Sequence, residues 1–584
     1  MATDNVPTAD QPENLFIEPS MRRLTVHLPT PRDREKIYRL RHDVYATELR
    51  QHAENARQML RDPLDEFNEY IVASVGFEIA GFVSITPPGH SRYSIDKYLR
   101  REELPFACDD GLYEVRLLTV AERFRNTPVA SLLMYAALRW VESRGGTRMV
   151  AIGREEVLPL YRKIGFLTNG RNVKCGAVTF ALMSTPILRA CEHALRHIRL
   201  LRKLASLVDW RLDVPFLEPP RCRHGGAFFE AIGTSFDYLD RHRRIINADV
   251  LDAWYPPAPE VLAKLQEHLA WIVRTSPPTH CDGMLQAIAE ARGVPAECLV
   301  PGGGSSALVF LAFRQWLTSA SRVLILDPTY GEYAHVLEQV IGCRTDRLML
   351  HPADGFKLDL ARLERLKRGY DLVVIVNPNN PTGRHVHRGD LEALLRRAPP
   401  TTRFWIDEAY VDYVGAEESL ERYAAGSENV VVSKSMSKVY ALSGLRAAYL
   451  CAPAAIARQL LSLTPPWAVS LPAQIAAVAA LGNPQYYRER YQETHRLRDQ
   501  LAIDLETMGI TVVCSGSANF LLCRLPADGS DVALLLERCR SRGLFLRDVS
   551  SMTMQVESHL FRVAVKDEET NRRMLRILGK VLGR

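Results

Sequence analysis

Four short apolar segments in the C-terminal half of the chain constrain its fold more than any other feature. They read RVLILDP, LVVIVNP, RFWIDEA and NVVVSKS, and each ends in a polar turn. Stretches with helical spacing lie between them. Continuous apolar strands joined by helical crossovers are typical of an α/β protein, with a parallel sheet that helices cover on both faces. Ligands bind such sheets beyond the carboxyl ends of the strands, so we expect functional residues directly after these segments.

The residues that follow these segments are mostly small, polar or aromatic. They include Tyr330, Asn377, Asn379, Asn380, Asp407, Glu408, Tyr410 and the stretch SKSMSKVYALSGLR at 433–446. Upstream of the first segment, VPGGGSSALVFLAF places Gly304, Ser305 and Ser306 at the start of a helix. Small residues at a helix N-terminus expose backbone N–H groups, which bind phosphate. Ser435, Ser437 and Arg446 add hydroxyl and guanidinium donors for the same anion. The sequence therefore predicts a site for a phosphorylated ligand.

The same residues also suit a flat aromatic cofactor that carries an aldehyde. Tyr330 offers a face on which a ring can stack. Asp407 can keep a pyridine nitrogen protonated, and Asn380 and Tyr410 can donate hydrogen bonds to a phenolate. An aldehyde requires one central lysine, whose pKa burial and cationic neighbours would lower. The stretch 433–446 contains two lysines, and their spacing alone leaves both as candidates.

The motifs NPNNPTG, DEAY and SMSK followed by GLR occur in this order, and together they resemble the fold-type I PLP-dependent aminotransferases. The resemblance covers about 240–584 and is greatest to histidinol-phosphate aminotransferases and threonine-phosphate decarboxylases. It implies a large domain with a mainly parallel, seven-stranded sheet, a small α/β domain, the cofactor pyridoxal 5′-phosphate (PLP) and a homodimer. It also implies that Lys438, which follows Ser437 and precedes Arg446 by eight residues, bonds to the cofactor. Lys434 would then be structural.

The resemblance also assigns roles to the other residues of the predicted site. The positions implied to bind the cofactor are Gly304, Ser305, Ser306, Tyr330, Asn380, Asp407, Tyr410, Ser435, Ser437, Lys438 and Arg446. Of these, Lys438, Asp407 and Tyr410 form the catalytic set. The implied substrate is a small amino acid-like molecule that loses a proton at Cα. Transamination is the favoured outcome, with decarboxylation and β/γ-elimination or replacement as alternatives, because one cofactor supports all of them.

Two segments near the C-terminus match family segments that present arginines to the substrate. They read GLFLRDVSSM and HLFRVAVKDEETNRRML, and the matching positions are Arg547 and Arg562. A bidentate guanidinium suits an α-carboxylate. The stretch 246–262 resembles the arm that enters the small domain, which makes Asn247 and Tyr255 further candidates for the pocket.

One segment departs from the family pattern. In the relatives, a tyrosine from the partner subunit often reaches the substrate phosphate, whereas the matching stretch VRTSPPTHCDG has Ser276 at that place. His280 is the nearest possible substitute, although a single histidine is more often structural. The departure bears on both the dimer contact and the substrate class.

The N-terminal part of the chain resembles a second family. LYEVRLLTVAERFRNTPVASLLM and LYRKIGF resemble the GCN5-related N-acetyltransferases (GNAT), and LRHDVYATELRQH resembles the branch of N-acyl amino acid and acyl-homoserine lactone synthases. The resemblance implies an acyl-CoA or acyl-carrier-protein donor, with Glu114 as general base and Tyr161 as general acid. Their structural alternatives are a surface ion pair and core packing.

The donor loop of that family begins here at Arg125, and Pro128 replaces its central glycine. Proline has no N–H, so one phosphate donor is missing, although proline suits the first turn of a helix. An active acyltransferase and an inactive scaffold domain therefore both remain open.

Patterning and composition divide the chain into four parts. We predict a disordered leader at 1–22, a GNAT-like domain at 23–186, a helical and Pro/Gly-rich linker at 187–234 and the PLP-dependent domain at 235–584. The large part of that domain covers about 275–455, and the small part covers about 235–274 and 456–584. A basic amphipathic helix at 187–210 has spacing that favours a solvated or inter-domain helix over a membrane-surface helix.

Several classes of protein are excluded at this stage. A net charge of +6 over 584 residues does not favour a nucleic-acid partner. No apolar run reaches the roughly 18 residues that a membrane span requires, and the N-terminus lacks the pattern of a secretory signal. Eleven scattered cysteines without a C-x-x-C pair predict reduced thiols and a cytoplasmic protein, and no metal-binding spacing is present.

Overall fold

The computed structural model describes residues 24–89, 92–104, 106, 108–154, 158–175, 178–217, 225–233, 235–366, 369–514, 516–526, 532–554 and 559–583. These residues fall into two compact units, one within 11–219 and the other within 220–584. The predicted disordered leader at 1–22 lies outside the described residues. Within the described ranges, every helix is too short or too polar to cross a lipid bilayer.

The N-terminal unit is built on one eight-stranded sheet. Its strands are β1 (Leu24–His27), β2 (Glu69–Val75), β3 (Glu78–Thr86), β4 (Leu112–Val120), β5 (Arg148–Arg154), β6 (Leu167–Cys175), β7 (Val178–Pro186) and β8 (Asp209–Arg211). They lie in the order β6-β7-β5-β4-β3-β2-β1-β8. The pairs β4–β5 and β1–β8 are parallel, which makes the sheet mixed, as predicted.

Five helices accompany this sheet. They are α1 (Pro31–His42), α2 (Val129–Ser143), α3 (Leu158–Lys163), α4 (Ile187–Arg196) and α5 (Ile198–Ala205). Helix α2 is apolar along most of its length and almost entirely buried. Its side chains and those of the central strands form one core, in which burial of apolar surface stabilises the unit.

The segment predicted as a linker begins inside this unit. Thr25 of β1 pairs with Asp209 of β8, and Leu204 of α5 and Leu212 are buried in the same core. The predicted helix at 187–210 is in fact two helices and a strand, and the boundary between the units falls near 219 rather than at 186. Amphipathic spacing reports that one helix face is apolar, but it does not identify the surface that covers that face.

A seven-stranded sheet forms the centre of the C-terminal unit. Its strands are β10 (Leu299–Gly302), β11 (Arg322–Asp327), β12 (Arg344–Met349), β13 (Leu372–Val376), β14 (Arg403–Asp407), β15 (Val430–Ser435) and β16 (Ala448–Cys451). The order is β10-β16-β15-β14-β13-β11-β12, and β16 runs antiparallel to both of its neighbours. The other pairs are parallel, which confirms the predicted sheet.

The rest of this unit is mainly helical. Its helices are α6 (Phe228–Ile232), α7 (Pro259–Glu267), α8 (Leu269–Arg274), α9 (Asp282–Arg292), α10 (Ser305–Trp316), α11 (Gly331–Ala334), α12 (Leu360–Leu366), α13 (Arg388–Arg396), α14 (Glu421–Ala425), α15 (Met436–Val439), α16 (Ala454–Leu461), α17 (Leu471–Leu481), α18 (Pro484–Thr507), α19 (Val532–Arg540) and α20 (Glu568–Leu582). Two small sheets complete it. β17 (Thr511–Cys514), β18 (Phe520–Arg524), β21 (Leu560–Ala564) and β20 (Arg547–Asp548) form one, and β19 (Leu544–Phe545) pairs with β9 (Ile246–Asn247) in the other.

The four apolar segments of the sequence are β11, β13, β14 and β15, and the residues of β13 are buried throughout. Cores on both faces of the sheet contain their side chains. The parallel register pairs Val376 with Asp407 and Asp407 with Ser433. The polar residues that follow these strands are therefore brought to the same edge of the sheet.

Candidate active site

A cavity opens at the carboxyl ends of β13, β14 and β15. The predicted site residues that line it are Ser305, Tyr330, Asn380, Asp407, Tyr410, Ser435, Lys438, Arg547 and Arg562. Asp249 and Met552 also line it, and the sequence analysis did not single them out. Gly304, Ser306 and Ser437 are chain neighbours of these residues, and Arg446 follows Lys438 by eight residues, but none of the four lines the cavity.

Gly304 and Arg446 meet at the start of α10. Gly304 has a φ of +97°, a backbone conformation that favours glycine. A Cβ atom at this position would also clash with the guanidinium of Arg446. The positive charge of Arg446 therefore lies against the backbone where the amides of α10 begin. The hydroxyl of Ser306 donates to Glu332 at 2.9 Å, which leaves its backbone N–H as the group available to an anion.

Two serines surround the start of α15. Oγ of Ser435 accepts a hydrogen bond from the N–H of Ser437 at 3.4 Å. Oγ of Ser437 is buried and has no hydrogen-bond partner among the described residues. An unpartnered buried hydroxyl costs about 1–3 kcal/mol, and a ligand oxygen at this point would remove that cost.

Asp407 is held by a short chain of aromatic donors. Its carboxylate accepts from the hydroxyl of Tyr333 at 2.7 Å and from the N–H of Ala409 at 3.1 Å. Tyr333 in turn accepts from Nε1 of Trp405 at 2.9 Å. Burial raises the pKa of Asp407 to about 6, although the hydrogen bond from Tyr333 acts to lower it. A cationic partner would lower the pKa of Asp407 and so favour its charged form.

Tyr333, which lies three residues after the predicted stacking residue Tyr330, was not predicted from the sequence. The two rings meet edge to face, with their centroids 5.9 Å apart. Burial raises the pKa of Tyr330 well above its usual value, and the neighbouring Glu332 adds to this effect. The only sequence signal for Tyr333 was a second tyrosine in the stretch TYGEY.

Asn380 and Arg562 contact each other across the cavity. Oδ1 of Asn380 accepts from Arg562 at 2.5 Å, and Arg562 also donates to the backbone oxygen of Asp249 at 2.7 Å. Arg547 lies 3.6 Å from the carboxylate of Asp249. Burial lowers the pKa of Arg562 to about 10, and Arg547 contributes in the same direction. Nε of each arginine is buried without a hydrogen-bond partner among the described residues, so both retain capacity to bind an anion.

Lys438 has a weak contact with one carboxylate. Its Nζ lies 3.4 Å from Oδ1 of Asp252. Burial lowers the pKa of Lys438, and the charges of Arg562 and Arg446 lower it further, while Asp252 opposes the shift. A second buried amine, Lys566, lies 3.4 Å from the backbone oxygen of Asp252, and burial lowers its pKa to about 8. Neither Asp252 nor Lys566 was predicted from the sequence.

Lys434 has the opposite environment. Its ammonium lies 3.0 Å from Asp412, 3.5 Å from Glu408 and 3.6 Å from Glu421. Burial alone would lower the pKa of Lys434, but these carboxylates raise it overall. Arg292 completes the cluster through Asp412 at 2.8 Å. Lys434 is therefore held as a permanent cation away from the cavity.

Four weaker candidates do not line the cavity. Oδ1 of Asn247 accepts from the N–H of Val250 at 3.1 Å, as in a turn. The buried hydroxyl of Tyr255 donates to the backbone oxygen of Val439 at 2.9 Å, so it supports the residue next to Lys438. Ser276 and His280 are both exposed.

The side chains of the predicted acyltransferase residues contact other residues of the N-terminal unit. Glu114 is buried and accepts hydrogen bonds from N–H and Oγ of Ser94, at 2.7 and 2.5 Å, and from the N–H of Ile95 at 3.1 Å. It therefore does not form the surface ion pair proposed as its structural alternative. Burial raises the pKa of Glu114 despite these bonds. Tyr161 is buried edge to face against Phe166, with ring centroids 5.2 Å apart.

The donor loop has similar constraints. Arg125 forms an ion pair with Glu48 at 2.6 Å. Pro128 is the residue that precedes α2, and the N–H of Val129 points to Oγ1 of Thr127 at 3.4 Å. The loop thus keeps its helix start, but one amide is absent and another has an internal partner.

Comparison with known proteins agrees with this geometry. The profile of the family "Aminotransferase class I and II" matches residues 249–578. The chain belongs to the aminotransferase class I and II family. A histidinol-phosphate aminotransferase of Moorella thermoacetica is 30% identical over 56% of this chain and 82% of its own length. A threonine-phosphate decarboxylase of Salmonella typhimurium is 29% identical over 51% of this chain and 80% of its own length.

The fold and the N-terminal unit have matches of their own. The crystal structure of a histidinol-phosphate aminotransferase from Sinorhizobium meliloti, in complex with pyridoxal 5′-phosphate, superposes with a TM-score of 0.54 at 20% identity. It covers 64% of this chain and 96% of that protein, and it shows that the aminotransferase fold is shared. The profile of the acetyltransferase (GNAT) family matches residues 34–166.

The aminotransferase cavity fits pyridoxal 5′-phosphate. Ser437 has a buried hydroxyl without a partner among the described residues. Arg446 lies against Gly304, where the first amides of α10 begin, and such groups suit a phosphate. Asp407 is a buried acid whose pKa would fall beside a protonated ring nitrogen. Lys438 is the cavity lysine whose pKa is already lowered.

The environment of Lys434 generates a prediction about stability. Lys434→Met leaves Asp412, Glu408 and Glu421 buried without their shared cation, which should lower the free energy of unfolding by about 3–5 kcal/mol. Lys438→Met removes a single 3.4 Å contact to a partly exposed carboxylate and should cost much less. Urea unfolding followed by tryptophan fluorescence measures both, with the exposed Lys264→Met as control. Equal losses for Lys434→Met and Lys438→Met would show that Lys434 is not the structural lysine.

Proposed function

We propose that the C-terminal unit is a PLP-dependent aminotransferase that acts on a small amino acid-like substrate. The observation that carries this proposal is the meeting of Lys438, Asp407, Asn380 and Arg562 at one cavity, in a chain of the aminotransferase class I and II family. Together they supply an amine of lowered pKa, a buried acid, an amide and a buried guanidinium. An amino acid offers a carboxylate and a Cα proton to such a set.

The cofactor would be held by three groups of residues. The phosphate would be bound by the start of α10 and by Ser435, Ser437 and Arg446. Asp407, kept in place by Tyr333, would pair with the ring nitrogen, and Tyr330 would stack on the ring. The residues facing the ring hydroxyl would be Asn380 and Tyr410. When bound, this cofactor withdraws electrons from Cα of an amino acid and so stabilises negative charge there.

Lys438 would move the proton at Cα. Its pKa is lowered by burial and by nearby guanidinium groups, and a general base works best when its pKa lies near the operating pH. Asp252 lies 3.4 Å from Nζ and would orient the amine without holding it tightly. Arg562 would bind the substrate carboxylate, because its position is fixed by Asn380 and Asp249 while its Nε remains free of partners among the described residues. Arg547 would contribute a second cation at the same place.

The covalent role of Lys438 can be tested directly. The holoenzyme is treated with borohydride and its peptides are analysed by mass spectrometry. The added mass of the reduced cofactor should be found on Lys438 and not on Lys434. Lys438→Ala should lose this modification and slow amino-group transfer by at least about 100-fold, the size of a general acid–base contribution. Lys566→Met serves as a matched control for loss of a buried amine. Modification at Lys434 would overturn the assignment.

The reaction outcome can be tested on the same protein. Incubation with a panel of amino acids should convert the cofactor to its pyridoxamine form, as absorbance and mass spectrometry report. Release of carbon dioxide with the cofactor unchanged would instead support decarboxylation. Decarboxylation is the alternative reaction because a threonine-phosphate decarboxylase is among the relatives.

We propose further that the N-terminal unit retains the GNAT fold but binds an acyl-CoA donor weakly. Pro128 lacks an N–H, and Glu114 and Arg125 are engaged by other residues. Restoring one hydrogen bond is worth about 0.5–1.5 kcal/mol, so Pro128→Gly should bind acetyl-CoA severalfold more tightly than the wild-type chain in calorimetric titration. Pro31→Gly, also at a helix start, is the matched control. No binding by either protein would favour a scaffold without acyltransferase activity.

We also propose that the chain forms a homodimer through the C-terminal unit. Leu269 and Val273 lie four residues apart on α8 and are 54% and 76% exposed. Trp271 and Trp467 are 50% and 56% exposed. Exposed apolar side chains of this kind are typical of interaction surfaces. Combined Leu269→Glu and Val273→Glu should shift the sedimentation coefficient to that of a monomer. Ile503→Glu, at an exposed position of α18, should leave it unchanged.

A cytoplasmic location is proposed on the chemistry of the cysteines. The described cysteines are free thiols, and all but Cys108 are buried. Buried reduced thiols are typical of proteins in a reducing compartment.

A further inference from the structure

A cluster of two histidines and one glutamate lies apart from the aminotransferase cavity. His385 and His387 belong to the segment that leads from β13 to α13, and Glu418 lies in the turn 416–418. None of the three lines the cavity. The proposed function therefore leaves this cluster unexplained.

The three side chains converge on a small volume. Nε2 of His385 lies 3.5 Å from Oε2 of Glu418, and Nδ1 of His387 lies 3.7 Å from the same oxygen. The three ligand atoms all lie within 4.8 Å of one another. Tetrahedral zinc with bonds of about 2.0–2.1 Å keeps its ligand atoms roughly 3.3 Å apart. Small side-chain rotations would bring this cluster to that geometry.

His385 gives an independent sign that the cluster is incomplete. Its side chain is only 7% exposed, and its Nε2 has no hydrogen-bond partner among the described residues. A buried ring nitrogen without a partner is costly. The nitrogen faces Glu418, so a metal ion between them would satisfy both groups.

The backbone holds the two histidines in place. The side chain of Asn377 donates to the backbone oxygen of Val386 at 2.9 Å and accepts from its N–H at 2.8 Å. Val386 is thereby fixed between the two histidines. Glu418 is fixed as well, because its Oε2 accepts from the N–H of Arg388 at 2.9 Å. The guanidinium of Arg388 is directed to Glu392 at 2.6 Å, so its charge is already paired.

We propose that His385, His387 and Glu418 bind a zinc ion that ties the β13–α13 connection to the turn 416–418. Two imidazoles and one carboxylate suit zinc, whereas magnesium and calcium prefer oxygen ligands alone. Three protein ligands leave a fourth position for water. The same connection contains Asn380, which lines the cavity. The ion would therefore stabilise the part of this connection that follows Asn380.

The structural alternative is that Glu418 only caps α13. Glu418→Gln separates the two roles, because glutamine can still accept from the N–H of Arg388 but loses the anionic charge that zinc favours. His387 is 77% exposed, so His387→Ala removes a ligand without opening the core. His268 is the matched control, since it is exposed and lies 3.8 Å from Glu267 but has no second histidine beside it among the described residues.

The test is calorimetric titration of the tag-free holoenzyme with zinc chloride after removal of metal by a chelator. The wild-type chain and His268→Ala should bind one zinc ion per chain with equal affinity. His387→Ala and Glu418→Gln should bind at least about tenfold more weakly, the minimum expected when a metal site loses a supporting group. Zinc should raise the melting temperature of the wild-type chain and leave that of His387→Ala unchanged.

Two results would overturn the proposal. One is a wild-type chain that binds no zinc. The other is zinc binding that His387→Ala and Glu418→Gln leave as strong as in the wild-type chain, which would place the ion elsewhere. Neither readout depends on amino-group transfer, so the outcome is independent of the proposed function.

Discussion

The parallel register of β13, β14 and β15 is the constraint on which the candidate site depends. Val376, Asp407 and Ser433 occupy equivalent positions on neighbouring strands. Each strand is buried on both faces, and a shift by one residue would turn every side chain to the opposite face. Packing of the apolar residues therefore fixes the register, and the register fixes the distances between the polar residues that follow. The packing of the core therefore determines the geometry of the site.

The two lysines of the stretch 433–446 show how position at the end of such a strand determines the pKa of a buried amine. Lys434 is the penultimate residue of β15 and points into a cluster of carboxylates that keeps it charged. Lys438 is the third residue of α15 and contacts a single, partly exposed carboxylate. Four residues of separation change the balance between desolvation and charge pairing, so the pKa values of the two amines move in opposite directions.

The sequence predicted the large sheet and the main wall of the cavity because both follow from local patterns. Apolar runs define the strands, and the residues after them reach one edge by topology. Tyr333, Asp252 and Lys566 were missed because their roles depend on contacts between distant parts of the chain. The extension of the compact N-terminal unit past 186 has a related cause, since β8 is only three residues long and pairs with a strand far away in the sequence. Such long-range pairing leaves no compositional signal.

Hydrogen-bonding capacity that remains unmet distinguishes the predicted site residues of the two units. Around the C-terminal cavity, Oγ of Ser437 and Nε of Arg547 and Arg562 are buried without partners among the described residues. In the N-terminal unit, the carboxylate of Glu114 is already bonded by a neighbouring turn and Arg125 by Glu48. A fold bears the cost of burying unpartnered polar groups where a ligand later supplies the partner. By this criterion, the C-terminal cavity is prepared for a ligand, whereas the predicted acyltransferase residues chiefly stabilise their own fold.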